Sequence, residues 1–204
     1  MHRIIPTFIA VATSVLIGGL ARAGEVPPPC NTQPCDFLTG GGFIITTASG
    51  THDPANANFG VGGGCKHGSP TWGHLEYIDH GTGLNVHWQD ITAYLFVDQG
   101  EPSNGGQPTG ARIICGTART NQFGDVDWAV FVRDTGEPGR DDEFTIRLRD
   151  SSGDIVYTTE GDSDHTLGGA GSGGGNIQLH KPNPSTTGEF GGSCPALAGP
   201  PPAS

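Results

Sequence analysis

Methionine is missing from the body of this 204-residue chain, where Met1 is the only one. Leucine and lysine are thin as well, and no stretch keeps a helical apolar repeat over eleven positions, which argues against a helical bundle. Basic residues are few: 10 Lys and Arg face 21 Asp and Glu, for a formal net charge of −11. Such a surface repels phosphate backbones and speaks against nucleic acid as a partner. Paired C-x-x-C spacing is absent, so a zinc ribbon is not encoded. The run GGAGSGGG (168–175) lacks the Gly-Lys-Ser/Thr ending of a phosphate cradle and reads as a flexible loop. Neither a G-x-S-x-G elbow nor an H-E-x-x-H helix occurs, so no catalytic residue is assigned.

What is abundant is glycine, 35 residues, with 16 prolines. Residues 1–23 read as a secretory signal peptide: a basic start at Arg3, the apolar run IIPTFIAVATSVLIGGL, and the small-residue site Ala21-Arg22-Ala23. The mature chain would be secreted, periplasmic or extracellular, and carries no further transmembrane anchor. Residues 24–35 form a Pro-rich lead-in, residues 36–181 a single β-domain, and residues 182–204 a Pro/Gly/Ser-rich tail expected to be disordered. Export makes disulfides the default for Cys30, Cys35, Cys65, Cys115 and Cys194. Cys65 and Cys115 lie near strand-like segments and can bridge a sandwich, while Cys30, Cys35 and Cys194 can tie the ends together. Five is odd, so one thiol is left over, and the connectivity stays open.

Two-residue alternation marks the strands. HLEYID (74–79) sets Leu75 and Tyr77 against His74 and Glu76. LNVHWQDITAYLFV (84–97) places Leu84, Val86 and Trp88 in step. Ile91, Ala93, Leu95 and Val97 follow after a bend or bulge at Gln89-Asp90. Val126, Trp128, Val130 and Val132 share one face, as do Phe144, Ile146 and Leu148. The pattern predicts an all-β antiparallel sandwich or barrel-like fold of roughly eight to ten strands with Gly-rich loops.

The turn DTGEPGRDDEF (134–144) separates two of those strands. Asp134, Glu137, Asp141 and Asp142 can converge on a hard cation, and calcium is the ion such a loop would take. The EF-hand pattern fails, however, because Gly136 and Pro138 stand where ligands belong, and a solvated turn is the plainer reading. No other cofactor is indicated. The histidines at 67, 74, 80 and 87 cluster in sequence, yet a transition-metal site needs three brought together. Cys65 with His67 or His74 makes a nucleophile pair only if its thiol is free. Trp88 and Trp128 fall in phase with apolar neighbours and belong to the core. Trp72, in the turn SPTWGH, is the one exposed platform for a ligand, with His74 and Glu76 beside it.

Five stretches occur in order: FLTGGGFI, ANFGV, PTWGHLEYIDH, DTGEPGRDDEF and GGNIQLHK. Together they resemble the post-COAP domains, a family of exported bacterial β-domains. Their corresponding stretches read VTGGG-W-I, ANFGF, P-x-G-x-L-E-Y-x-D, D-x-GEPG-x-x-D-x-F and GGNIQ-I-H. The resemblance spans about residues 36–181. It implies an accessory or stand-alone module of exported and cell-surface proteins, with no catalytic residue to carry over. The chain departs from the pattern at Cys65 and Cys115, and by GVGGGCKHG where a longer basic strand is usual. These departures suggest an added bridge and leave the second strand's length open.

The expected function is therefore a secreted, non-enzymatic structural or binding module of the envelope or extracellular space, partnered by a surface carbohydrate or an envelope protein. Two alternatives accompany it. One is calcium-assisted binding of a carbohydrate or other surface ligand through the 134–143 loop and Trp72. The other is a secreted hydrolase whose carboxylates meet only in the fold.

Overall fold

The computed structural model describes residues 34–103, 105–170 and 172–198. The signal-peptide reading, most of the lead-in and Cys30 lie outside the described residues. Ten antiparallel strands form one sheet: β1 (Phe37–Thr46), β2 (Ala55–Gly64), β3 (Trp72–Asp79), β4 (Leu84–Gln99), β5 (Gly110–Thr120), β6 (Gly124–Asp134), β7 (Glu143–Arg149), β8 (Ile155–Thr158), β9 (Gly175–His180) and β10 (Gly191–Gly192). The order is β8-β7-β6-β5-β4-β3-β2-β1-β9, a meander with β9 returning beside β1. Alternation and short turns dictate this, because hairpin neighbours in sequence become neighbours in space. No helix among the described residues is long and apolar enough to cross a membrane.

The sheet is not closed into a barrel, but it curls until its two halves share one core. Phe59 of β2 stacks on Phe144 of β7 with ring centroids 4.0 Å apart. Phe144, fully buried, contributes about 2–3 kcal/mol through the apolar surface it removes from water. Trp128 is buried as its alternation requires, and its indole N–H donates to the Thr117 carbonyl at 3.0 Å. Trp88 is only half-buried, packed against the core's margin. The second strand spans ten residues, and its glycines serve packing: a Cβ on Gly63 would lie 2.6 Å from Ile114 Cδ1 of β5.

β4 departs from its expected face pattern. It is one 16-residue strand, with register shifts at Trp88/Asp90, Ile91/Ala93 and Phe96/Asp98. The second shift reverses which residues face inward, since one extra residue flips a strand's sides. Ile91 and Tyr94 enter the main core, whereas Ala93 and Leu95 join a separate cluster with Cys115 and Ala129.

The tail also differs from expectation. Within residues 182–198 Thr186 and Ala196 are buried and a short strand and a 3-10 turn form, although most of the stretch is exposed. β4 outruns β3 and leaves part of its edge free, and β10 pairs there, Gly191 opposite Tyr94 and Gly192 opposite Ala93. Cys194 is disulfide-bonded to Cys115, and Ala196 of the following 3-10 turn (Pro195–Leu197) is fully buried. The composition that reads as disorder reflects a short apolar supply. A covalent tie and a ready-made strand edge supply the order instead.

Candidate functional site

The 134–144 turn answers its own question in an unexpected way. β9 has a free edge whose amides face the end of the β6–β7 hairpin. Leu179 N–H donates to Asp134 Oδ2 at 2.7 Å, and Ile177 N–H donates to Asp142 Oδ2 at 2.8 Å. Each carboxylate's other oxygen holds the turn itself. Gly136 N–H donates to Asp134 Oδ1 at 2.7 Å, and Thr135 donates its N–H and hydroxyl to Asp142 Oδ1 at 2.9 and 3.0 Å. Two side chains thus stand in for the ladder that would have closed the sheet. Gly139, at φ 72°, lies so close to β9 that a Cβ would fall 2.2 Å from Asn176 Oδ1.

Burial pushes both the Asp134 and Asp142 carboxyls above the usual range, opposed by those amide donors and reinforced by neighbouring carboxylate charge. Asp134 and Asp142 are buried, while Glu137 and Asp141 are exposed. Two of the four thus turn inward and two outward, and among the described residues no group of three or more His, Cys, Asp or Glu is placed to hold a metal ion. The histidine run disperses likewise. His80 Nε2 pairs with Asn58 Oδ1 at 2.9 Å, His87 Nδ1 pairs with Glu76, and His67 lies in an exposed left-handed turn at φ 61°.

Cys65 is bonded to Cys35, not to Cys115. Antiparallel pairing of β1 with β2 brings the start of one beside the end of the other, Phe37 opposite Gly64. A bridge across the core is therefore replaced by one along the sheet's rim, and Cys65 has no thiol to act as a nucleophile.

Trp72, His74 and Glu76 do share one face, projecting from β3 at alternate positions opposite Gly64, Gly62 and Gly60 of β2. The register continues outward. Phe37 of β1 lies opposite Gly64 and also opposite His180 of β9, and Thr39 opposite Gln178. Four side chains converge at this corner. The Lys66 ammonium sits 3.7 Å above the Trp72 ring and 4.0 Å above the Phe37 ring. His180 stacks on Phe37 with centroids 4.3 Å apart and planes 6° apart, and its Nε2 meets Thr39 Oγ1 at 2.8 Å. Burial, then the Lys66 charge, holds the His180 pKa below its ordinary value. Lys66, Phe37, Trp72 and His180 are all half-buried. Trp72 is consequently no open platform, since Lys66 occupies one face of its ring. Phe37, Lys66 and His180 were not singled out by their sequence. Phe37 alone carries a signal, being out of phase with the buried Leu38 of the same strand.

Two further polar networks are structural. Asp36 accepts from the Tyr94 hydroxyl at 2.7 Å and from Arg112, whose guanidinium is fully buried between Phe96 and Phe190. Asp79 accepts from Gly81 N–H, the Thr82 hydroxyl, the Tyr157 hydroxyl and His52. Burial alone would raise its pKa, but these donors outweigh burial and hold the carboxyl below its usual range.

Comparison with known protein families, with curated proteins and with solved structures finds no match.

Proposed function

We propose that the chain is an exported, non-enzymatic module that binds a carbohydrate of the cell surface or extracellular space through the outward face of β9, β1 and β3. The observation that carries this reading is the Lys66–Phe37–Trp72–His180 corner. Aromatic rings and a cation are held half-exposed on an outer sheet face, away from the core. Thr39 and Gln178 add a hydroxyl and an amide to the same face, the polar complement a sugar needs. The buried carboxylates Asp36, Asp79, Asp134 and Asp142 accept from backbone and side-chain donors, which supports structural duties for them. Export is supported by the basic and apolar N-terminal segment and by two disulfides, which persist in oxidising compartments. The resemblance to post-COAP domains points the same way.

Calorimetric titration of the purified chain with surface-polysaccharide fragments tests the reading. Binding is expected, and Trp72→Ala, which dismantles the corner, should weaken it about tenfold. Equal binding by the variant would move the site elsewhere. Release of reducing ends during incubation would replace this reading with a hydrolase.

A further inference from the structure

We infer that the ligand of this corner is an acidic sugar chain, and that Lys66 is the group that recognises its carboxylates. The inference rests on the binding-module reading and names the chemistry of that site.

Most cations of the described chain are spent. Arg119 pairs with Asp125 at 3.2 Å, Arg133 with Asp98 at 2.9 Å and Arg147 with Glu160. Arg112 and Arg149 are buried and hydrogen-bonded to protein oxygens. Lys66 differs from all of these. Its ammonium makes no ion pair among the described residues, yet it is fixed between two rings. A ring quadrupole attracts a cation without cancelling its formal charge, so the charge remains available to an anion. Fixing it in advance also removes much of the ordering cost that a free lysine meets on binding.

The field at this corner is the second argument. The chain carries a net charge of −11, so an anion can dock only where the local potential reverses. Among the described residues no carboxylate pairs with Lys66, and Asp36, in the same strand-end region, is already paired with Arg112. Lys181 follows His180 directly in the chain and is exposed. A short acidic glycan offers its carboxylates to Lys66 and its hydroxyls to Thr39 and Gln178.

The experiment titrates the full chain with oligogalacturonate and with a neutral oligosaccharide of equal length, at low and high salt. The acidic ligand should bind about tenfold tighter than the neutral one, and salt should erode that preference. Lys66→Met should abolish the preference, so that the variant binds acidic and neutral chains equally, and Lys66→Arg should retain it. If acidic and neutral chains bind alike and salt has no effect, the inference is overturned while the carbohydrate reading stands. If neither binds, both fall. Should Lys66→Met fail to fold, the salt response and the acid-to-neutral ratio of the unaltered chain still decide.

Discussion

Asp142 shows how a single side chain can close a sheet. Fully buried, it accepts Thr135 on one oxygen and the Ile177 amide on the other. In Asp142→Asn the new NH₂ must face one of these donors, leaving a buried N–H without an acceptor. The expected loss is about 2–3 kcal/mol, read by urea unfolding, and an unchanged midpoint would remove the seam from the account. Because all four oxygens of Asp134 and Asp142 are engaged, millimolar calcium should leave the thermal midpoint where it was. A rise on adding calcium would show a site binding the native state. Asp79 gives a pH signature of definite sign. Its folded pKa lies below the ordinary value, so its stabilising contribution is present above the unfolded pKa of about 3.9 and fades as pH falls below it. The stability difference between the native chain and Asp79→Asn should therefore be full at neutral pH and shrink below about pH 4, measured by denaturant titration across that range. Asp134 and Asp142, shifted upward, carry the opposite sign. Their cost to stability appears as pH rises through the folded values.

At the scale of the element, β4 and the tail are one problem. Bulges turn β4 so that Ala93 and Leu95 face away from the main core, and Cys194, Ala196 and Leu197 supply the cover for that second face. The Cys115–Cys194 disulfide, 79 residues apart in sequence, secures it. Its removal as Cys115→Ser with Cys194→Ser should cost about 3–4 kcal/mol and expose residues 186–198 to proteolysis first. Protection equal to that of the native chain would mean the pairing alone suffices. Alternation made Leu75, Tyr77, Trp128 and Phe144 legible as core residues, since a half-buried strand forces every second side chain inward. It could not reveal the second bulge of β4, because a bulge is chosen by the packing around it. Nor could it place Lys66, which follows Cys65 in a turn and meets Phe37 and Trp72 only when β1, β2 and β3 align.

The described domain is an open sheet locked shut by side chains rather than by a closing ladder. The seam joins β9 to the β6–β7 hairpin through Asp134 and Asp142, while residues Thr166 and Leu167 form bridges to Glu143 and Ile44. One core shared by both halves should unfold in one step. Tryptophan fluorescence and far-ultraviolet circular dichroism should give coincident thermal transitions, and separate midpoints would show the β9 side melting alone.

Local chemistry along the chain was enough to determine an antiparallel all-β fold, the burial of Tyr77, Trp128 and Phe144 and the placing of Trp72, His74 and Glu76 on one strand face. Period-two patterning and turn residues act between near neighbours, so they can be read without the fold. The pairing of Cys35, Cys65, Cys115 and Cys194, the duty of the 134–144 carboxylates, the order of the tail and the clamp around Lys66 were decided by tertiary structure. Each depends on which distant strands meet. That meeting is set by the cooperative curl of the sheet around a common core, which no short stretch of the chain contains.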